Sequence, residues 1–312
     1  MKPTTCTDAQ TGALSWQYDT GYKVLSSPVV SNGVLYIGTE HNDLVAINAA
    51  SGDLVFNTHL NPNIQSSITG TSSPMVANLG GQDFVFVGSD DAYLYKVYGA
   101  YCDSAGQVAG KYPDISEEEW GEGQWPERHP VESSPSYRDG YVYFGRSDPL
   151  GGPVCAVDAG DLSEEWSLGV GNEIRTTPAL SSAGVYIGDE TGSFIYRLLL
   201  GGSSSETEWN MLGHVFASQA LTASLVYVGT DGYLDEQGIR HNAYLQARDL
   251  LNFNEGPGNK LRDASGNPLN LGAKIGSSPA IAYTPDGATW RRWVFITARN
   301  DTLQLHAFSS RL

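Results

Sequence analysis

A short string recurs six times along the chain, and it constrains the fold more than any other feature. It appears as Ser26-Ser27-Pro28, Ser72-Ser73-Pro74, Ser133-Ser134-Pro135, Thr176-Thr177-Pro178, Ala217-Ser218-Gln219 and Ser277-Ser278-Pro279. The third residues lie 46, 61, 43, 41 and 60 positions apart. The shortest spacings point to a unit of roughly 40–45 residues, the size of a four-stranded propeller blade. After each copy comes a turn and then a β-branched, aromatic run. These runs are Val34-Leu35-Tyr36-Ile37-Gly38, Phe84-Val85-Phe86-Val87-Gly88, Tyr141-Val142-Tyr143-Phe144-Gly145, Val185-Tyr186-Ile187-Gly188, Leu225-Val226-Tyr227-Val228-Gly229 and Trp293-Val294-Phe295-Ile296-Thr297. They are too short for helices and have the composition of strands. A polar turn, a third strand such as Leu44-Val45-Ala46-Ile47, a turn such as Ala49-Ala50-Ser51-Gly52 and an outer strand such as Glu165-Trp166-Ser167 complete the unit.

The order Ser-Ser-Pro, Val-Tyr-Ile-Gly, Leu-x-Ala-Ile-Asn-x-x-x-Gly, aromatic resembles the PQQ-like repeat of the quinoprotein-type β-propellers. The resemblance covers nearly the whole chain and implies an all-β fold of four-stranded antiparallel blades. It is nearer to the non-enzymatic members, such as outer-membrane assembly propeller lipoproteins, than to the enzymes. The expected organisation is one domain, 1–312, of six blades. They are placed at 26–60, 73–132, 133–170, 176–213, 217–275 and 277–312, the last completed by 12–20. The stretch Asp8 to Tyr18 reads as an outer strand, and its pairing with the third strand near Leu303 to Phe308 is expected to close the ring and remove its open edges. The two long spacings exceed the short ones by too little for a further blade and read as insertions, at 99–132 and 232–275. The outer-strand tryptophans Trp16, Trp166 and Trp209 resemble the family's blade-docking residues.

Charge narrows the partners. The 312 residues carry 18 Lys and Arg against 35 Asp and Glu, a net charge of −17. Phosphate recognition needs basic clusters, so nucleic acid is excluded as a partner. No apolar run approaches the roughly 18 residues of a membrane span, and no hydrophobic leader segment opens the sequence. The resemblance implies an extracellular, periplasmic or cell-surface protein, with the cytoplasm as the alternative.

The chemistry of an enzyme is not spelled out. A quinone-dependent dehydrogenase of this family implies eight blades, an adjacent cysteine pair over the cofactor and a metal site of Glu, Asn and Asp. Here the cysteines, Cys6, Cys102 and Cys155, are far apart. No bound cofactor is expected, and the alternative, a dehydrogenase or other propeller enzyme using the channel mouth, has no motif behind it. There is no Gly-x-Ser-x-Gly elbow. The six histidines form no HExxH and no i, i+4 pair, so their spacing supports no zinc site. Weak calcium candidates are Asp90, Asp91, Asp231 and Asp235, which also have the composition of ordinary turns.

The expected function is therefore a binding or assembly scaffold with a protein partner, a small ligand or calcium being further candidates. Two places could carry recognition. Residues before each Ser-Ser-Pro should ring one mouth of the channel, and they differ from copy to copy where the frame repeats. Thr71, Glu132, Arg175 and Phe216, with Lys23, His129, His214 and Lys274 around them, are the candidates. The second place is the acidic insertion, where Trp120 and Trp125 stand among Glu117, Glu118 and Glu119. Rings beside charges have the composition of a recognition patch, in which the rings supply buried area and the charges steer a partner.

Overall fold

The computed structural model describes residues 3–62, 72–113, 130–147, 152–170, 173–189, 194–202, 205–210, 214–215, 217–230, 243–250, 261, 269, 271, 275, 277–287, 289–299 and 303–311. Every regular element among them is a strand. β1 (Thr4–Thr7) and β2 (Leu14–Tyr18) form a two-stranded sheet. Antiparallel sheets then follow in chain order. The first holds β3 (Val29–Ser31), β4 (Val34–Gly38), β5 (Asp43–Asn48) and β6 (Leu54–His59). The second holds β7 (Met75–Leu79), β8 (Gln82–Gly88), β9 (Leu94–Tyr98) and β10 (Val108–Tyr112). The third holds β11 (Ser136–Arg138), β12 (Tyr141–Gly145), β13 (Pro153–Asp158) and β14 (Glu164–Gly169), and the fourth β15 (Ala179–Ser181), β16 (Gly184–Gly188), β17 (Phe194–Leu198) and β18 (Ser205–Asn210). The fifth has β19 (Ala220–Leu221), β20 (Leu225–Gly229) and β21 (Leu245–Asp249), and the sixth β22 (Ala280–Asp286), β23 (Thr289–Arg299) and β24 (Leu303–Arg311). The all-β meander expected from the repeat is present. The chain divides into two compact units, 1–147 with 155–165 and 148–154 with 166–312, the boundary running through the third sheet.

Three sequence expectations change. β2 pairs with β1, Cys6 opposite Trp16, so the amino-terminal segment holds two strands rather than a lone outer one. Among the described residues β24 pairs with β23 and not with β2, so the expected closure is not formed by these strands. The first insertion also begins later than 99. Residues 108–112 are the outer strand of the second sheet, in register with β9 after a bulge near Val108. That strand, Val-Ala-Gly-Lys-Tyr, has glycine at its third position, where β2, β6 and β14 carry Trp16, Phe56 and Trp166.

The repeated hydroxyls hold the frame. In the copies that begin at Ser26, Thr176 and Ser277 the first hydroxyl clamps the end of the second strand, whereas Ala217 brings none. Ser26 Oγ accepts from the Gly38 amide (2.8 Å) and donates to its carbonyl (3.0 Å). Thr176 does the same to Gly188, both at 2.9 Å, and Ser277 to Thr297, at 2.9 and 3.2 Å. The second hydroxyl accepts from the same position of the preceding copy. In the first unit Ser73 takes the Ser27 amide and Ser134 the Ser73 amide, each at 2.8 Å. In the second unit Ser218 takes the Thr177 amide at 2.9 Å and Ser278 the Ser218 amide at 3.0 Å. Each short polar side chain thus satisfies a backbone group that would otherwise be left without a partner where strands from neighbouring sheets converge.

An aliphatic residue two places before the motif explains the glycine that ends the second strand. Val131, Val215 and Ile275 are fully buried. A Cβ on Gly88 would lie 2.2 Å from the Val131 carbonyl oxygen, one on Gly188 2.6 Å from Val215 Cγ1, and one on Gly229 2.4 Å from Ile275 Cγ2. Only glycine admits that approach.

The outer strands dock by a ring on the next copy's turn. Trp16 is buried, donates its indole N–H to the Ala49 carbonyl at 2.9 Å, and lies against Gly52, whose φ is +81°. Trp166 is buried likewise, donates to the Leu200 carbonyl at 3.0 Å and lies against Gly202, with φ +69°. Phe56 takes the same place against Gly106. The pair between them is inverted. Glycine 110 stands where the ring should be, and Leu162, at φ +65°, occupies the turn position that is glycine elsewhere and packs toward Gly110. Beside it Lys96, almost fully buried, donates Nζ to the Gly160 carbonyl at 2.5 Å and sits over the Phe84 ring at 4.3 Å. Burial pulls the pKa of this ammonium down, against the pull of Asp158 and Asp161.

Candidate functional site

The clamp of Ser26 on Gly38 and the ladder of β5 with β6 bring three segments of the first unit together: 22–28, the β4–β5 turn and the end of β6. The Glu40 amide donates to the Lys23 carbonyl at 2.9 Å, and Lys23 Nζ reaches Glu40 Oε2 at 3.0 Å. An ion pair with so exposed a lysine is worth about 0–1 kcal/mol and orders the segment rather than holding the fold. The turn itself is built by Thr39, which accepts the Asn42 amide on its carbonyl and the His41 amide on Oγ1, with Asn42 at φ +61°.

Three metal-binding residue types converge at this turn. The register of β5 with β6 places Asp43 directly opposite His59. His41 stands two residues before Asp43, in the turn that leads into β5. His59 Nδ1 lies 2.7 Å from Asp43 Oδ1 and His41 Nδ1 3.3 Å from Asp43 Oδ2. One candidate ligand atom from each residue lies within 4.8 Å of the others. The two imidazole rings are 5.0 Å apart, and Tyr22 stacks on His41 at 4.0 Å with the planes 4° apart. Asp43 is buried, 8% exposed at its side chain, whereas the histidines are 27% and 30% exposed. The cluster therefore has a buried anionic floor and two imidazoles open to solvent. Spacing alone supported no such site. The signal was available in the hairpin: a turn at 49–53 folds position 59 back onto position 43.

Behind this cluster the polar groups are internal. Asp91 is buried, and its Oδ2 accepts from Tyr95 Oη (2.6 Å), Asn61 Nδ2 (3.1 Å) and Asn42 Nδ2 (3.5 Å), while Oδ1 accepts the Tyr93 amide (3.3 Å). Ser89 Oγ donates to Asn42 Oδ1 at 2.9 Å. Of the calcium candidates, Asp91 is thus an acceptor surrounded by N–H and O–H donors, an environment that holds a carboxylate without a cation. Asp90 beside it is half-buried. Asp231 and Asp235 lie outside the described residues.

The predicted mouth residues are only partly described. Lys23 is exposed and sits next to the His–Asp–His cluster through Glu40 and Tyr22. Glu132, in the first unit, is half-buried. In the second unit His214 is half-buried, and exposed Arg175 meets Glu173 at 3.3 Å. Thr71, His129, Phe216 and Lys274 lie outside the described residues, as do Glu117, Glu118, Glu119, Trp120 and Trp125. The side chain of Trp209 does as well. The cysteines are free thiols: Cys155 is buried, and Cys6 and Cys102 are half-buried.

Residues 3–113 match a family model described as outer membrane protein assembly factor BamB. A protein of that description from Moranella endobia is 25% identical over 225 residues, 72% of this chain and 54% of its own length, so the chain spans about half the length of the curated relative it matches. Among solved structures, BamB from Moraxella catarrhalis superposes with a TM-score of 0.63 at 14% identity, covering 94% of this chain and 75% of that one. A quinohemoprotein alcohol dehydrogenase from Pseudomonas putida HK5 gives 0.63 at 13% identity, covering 95% and 67%. At these identities the solved structures show a shared fold and nothing of shared chemistry. With the six-fold Ser-Ser-Pro repeat and the antiparallel sheets it builds, the chain resembles the PQQ-like propeller-repeat proteins and, among them, BamB.

Proposed function

We propose that the protein is a non-catalytic scaffold that binds a protein partner, the role that the words assembly factor give to BamB, and that it works in the periplasm or at the cell surface. One observation carries the reading. The polar side chains that recur from copy to copy are committed to internal bonds. The hydroxyls of Ser26, Thr176 and Ser277 clamp strand ends, and the indoles of Trp16 and Trp166 cap turns. The recurring chemistry builds the frame and performs no reaction. What differs between copies, the segments before each motif and the insertions, is left for recognition. No helix among the described residues is long and apolar enough to cross a membrane.

The acidic insertion is the proposed partner-binding element. Between 113 and 132 it carries seven Asp and Glu against one Arg and no Lys, so the matching face should be basic. The test is capture of an envelope partner by the intact protein and by Trp120→Ala/Trp125→Ala. Truncating two aromatic anchors of an interface typically costs about 2 kcal/mol or more, roughly a thirtyfold loss of affinity. Capture should also weaken as salt screens the charges. Because neither tryptophan lies in a repeated strand, the melting temperature should stay where it was. Unfolding of the double variant would show that the rings belong to the core and would remove the insertion as the site. Removal of 114–129 is the matching deletion, since it leaves β10 in place.

A further inference from the structure

We propose that His41, Asp43 and His59 form a binding site for a divalent transition-metal ion, of the zinc, cobalt or nickel class. The proposal is independent of the scaffold reading. The donor set selects the class of ion. Two imidazole nitrogens and one carboxylate suit a borderline cation, whereas calcium and magnesium take oxygen ligands throughout. The distances fit as well. A tetrahedron with bonds of about 2.1 Å has ligand atoms about 3.4 Å apart. The imidazole Nδ1 atoms already stand 2.7 and 3.3 Å from the Asp43 oxygens, and all three candidate atoms fall within 4.8 Å. Both rings are open on one side, so rotation about their terminal torsions can bring them onto a common centre.

The backbone supplies the preorganisation. Asp43 and His59 are directly paired residues of adjacent strands, and the Leu60 amide continues the ladder to the Asn42 carbonyl at 2.9 Å. His41 is held in its turn by Thr39 and by the stacked ring of Tyr22. The ligands therefore come from rigid elements, and the ordering cost of assembling them is largely met by the fold itself. In the metal-free protein each ring shares an Asp43 oxygen through Nδ1. Binding exchanges those two contacts for metal bonds and moves the imidazole protons to Nε2, so neutral rings need release no proton. The exposed side leaves room for one or more water ligands, the open arrangement of three protein ligands plus solvent. A metal here would tie the segment carrying Tyr22 and Lys23, through His41, to the end of β6.

The experiment uses the full chain, stripped with a chelator and titrated with cobalt(II) as a spectroscopic probe. One equivalent should bind, with visible ligand-field bands of a low-coordinate nitrogen and oxygen site, and zinc should abolish the bands by displacement. His41→Ala and His59→Ala should each weaken cobalt binding by about tenfold or more, a loss at least as large as that seen when second-shell partners are removed. Asp43→Asn should do the same. Zinc should raise the melting temperature of the parent protein but not of His41→Ala, and the far-ultraviolet spectrum of that variant serves as its control for folding. An absent stoichiometric band overturns the proposal. So does unchanged affinity in His41→Ala/His59→Ala, which would place the metal elsewhere, and so does displacement of cobalt by calcium at comparable concentration.

Discussion

Trp166→Ala is expected to destabilise the second unit by about 3–5 kcal/mol, the range for losing a buried aromatic side chain. The indole is 8% exposed and gives its N–H to the Leu200 carbonyl, so the substitution removes apolar contact and leaves that oxygen without its donor. Gly202→Ala should be comparably severe. Its new Cβ would stand 2.2 Å from Trp166 Cγ, and the backbone sits at φ +69°, where a side chain costs about 1–2 kcal/mol. The informative variant is the double one. With the indole gone the clash disappears and only the backbone cost remains, so adding Gly202→Ala to Trp166→Ala should cost about 1–2 kcal/mol more rather than the full single-variant value. Urea denaturation followed by circular dichroism reads all three. Additive losses would show that the ring and the glycine do not meet.

The inverted pair makes the second large expectation. Gly110→Phe places a ring where Leu162 Cδ1 already lies 3.1 Å from the new Cβ, and overpacking of this kind costs about 1–3 kcal/mol. Leu162→Gly empties a buried position, a loss of about 2–5 kcal/mol, against which relief of the left-handed backbone returns about 1–2 kcal/mol. Together the two substitutions recreate the arrangement of Phe56 on Gly106, with the ring on the strand and the glycine in the turn. The double variant should therefore be more stable than either single variant. A double variant as unstable as the sum of the two would mean that Gly110 and Leu162 are not complementary members of one docking position.

How far the sequence foretells this molecule depends on which residues repeat. Ser-Ser-Pro and the glycine-ended strands were legible because each repeats one job in most copies, and the same clamp is made by Ser26, Thr176 and Ser277. The outer tryptophans were legible for the same reason. The second outer strand was not. Its ring has become Gly110 and its turn runs from Gly99 to Gln107, so the residues that flag the position elsewhere are missing. β1 was missed because Thr-Thr-Cys-Thr carries little of the apolar weight by which a strand is recognised, although the pairing of Cys6 with Trp16 gives it a defined register. The His–Asp–His cluster escaped because motif spacing follows the chain, whereas a hairpin joins residues by register. Asp43 and His59 are 16 apart in sequence and face each other across one ladder position. Lys96 stands where the equivalent strands carry alanine, Ala46 and Ala156, and its burial depends on a carbonyl supplied by another sheet's turn.

The proposed function requires that the repeated chemistry serve the frame and that the protein bind rather than oxidise. Dye-linked oxidation tests it most directly. The purified full chain, supplied with pyrroloquinoline quinone and calcium, is assayed against primary alcohols and aldose sugars. The rate should be indistinguishable from that of quinone and calcium without protein, because Cys6, Cys102 and Cys155 provide no adjacent pair to cover a quinone and Asp91 is committed to Tyr95 and Asn61. Stoichiometric quinone binding accompanied by turnover would contradict the account.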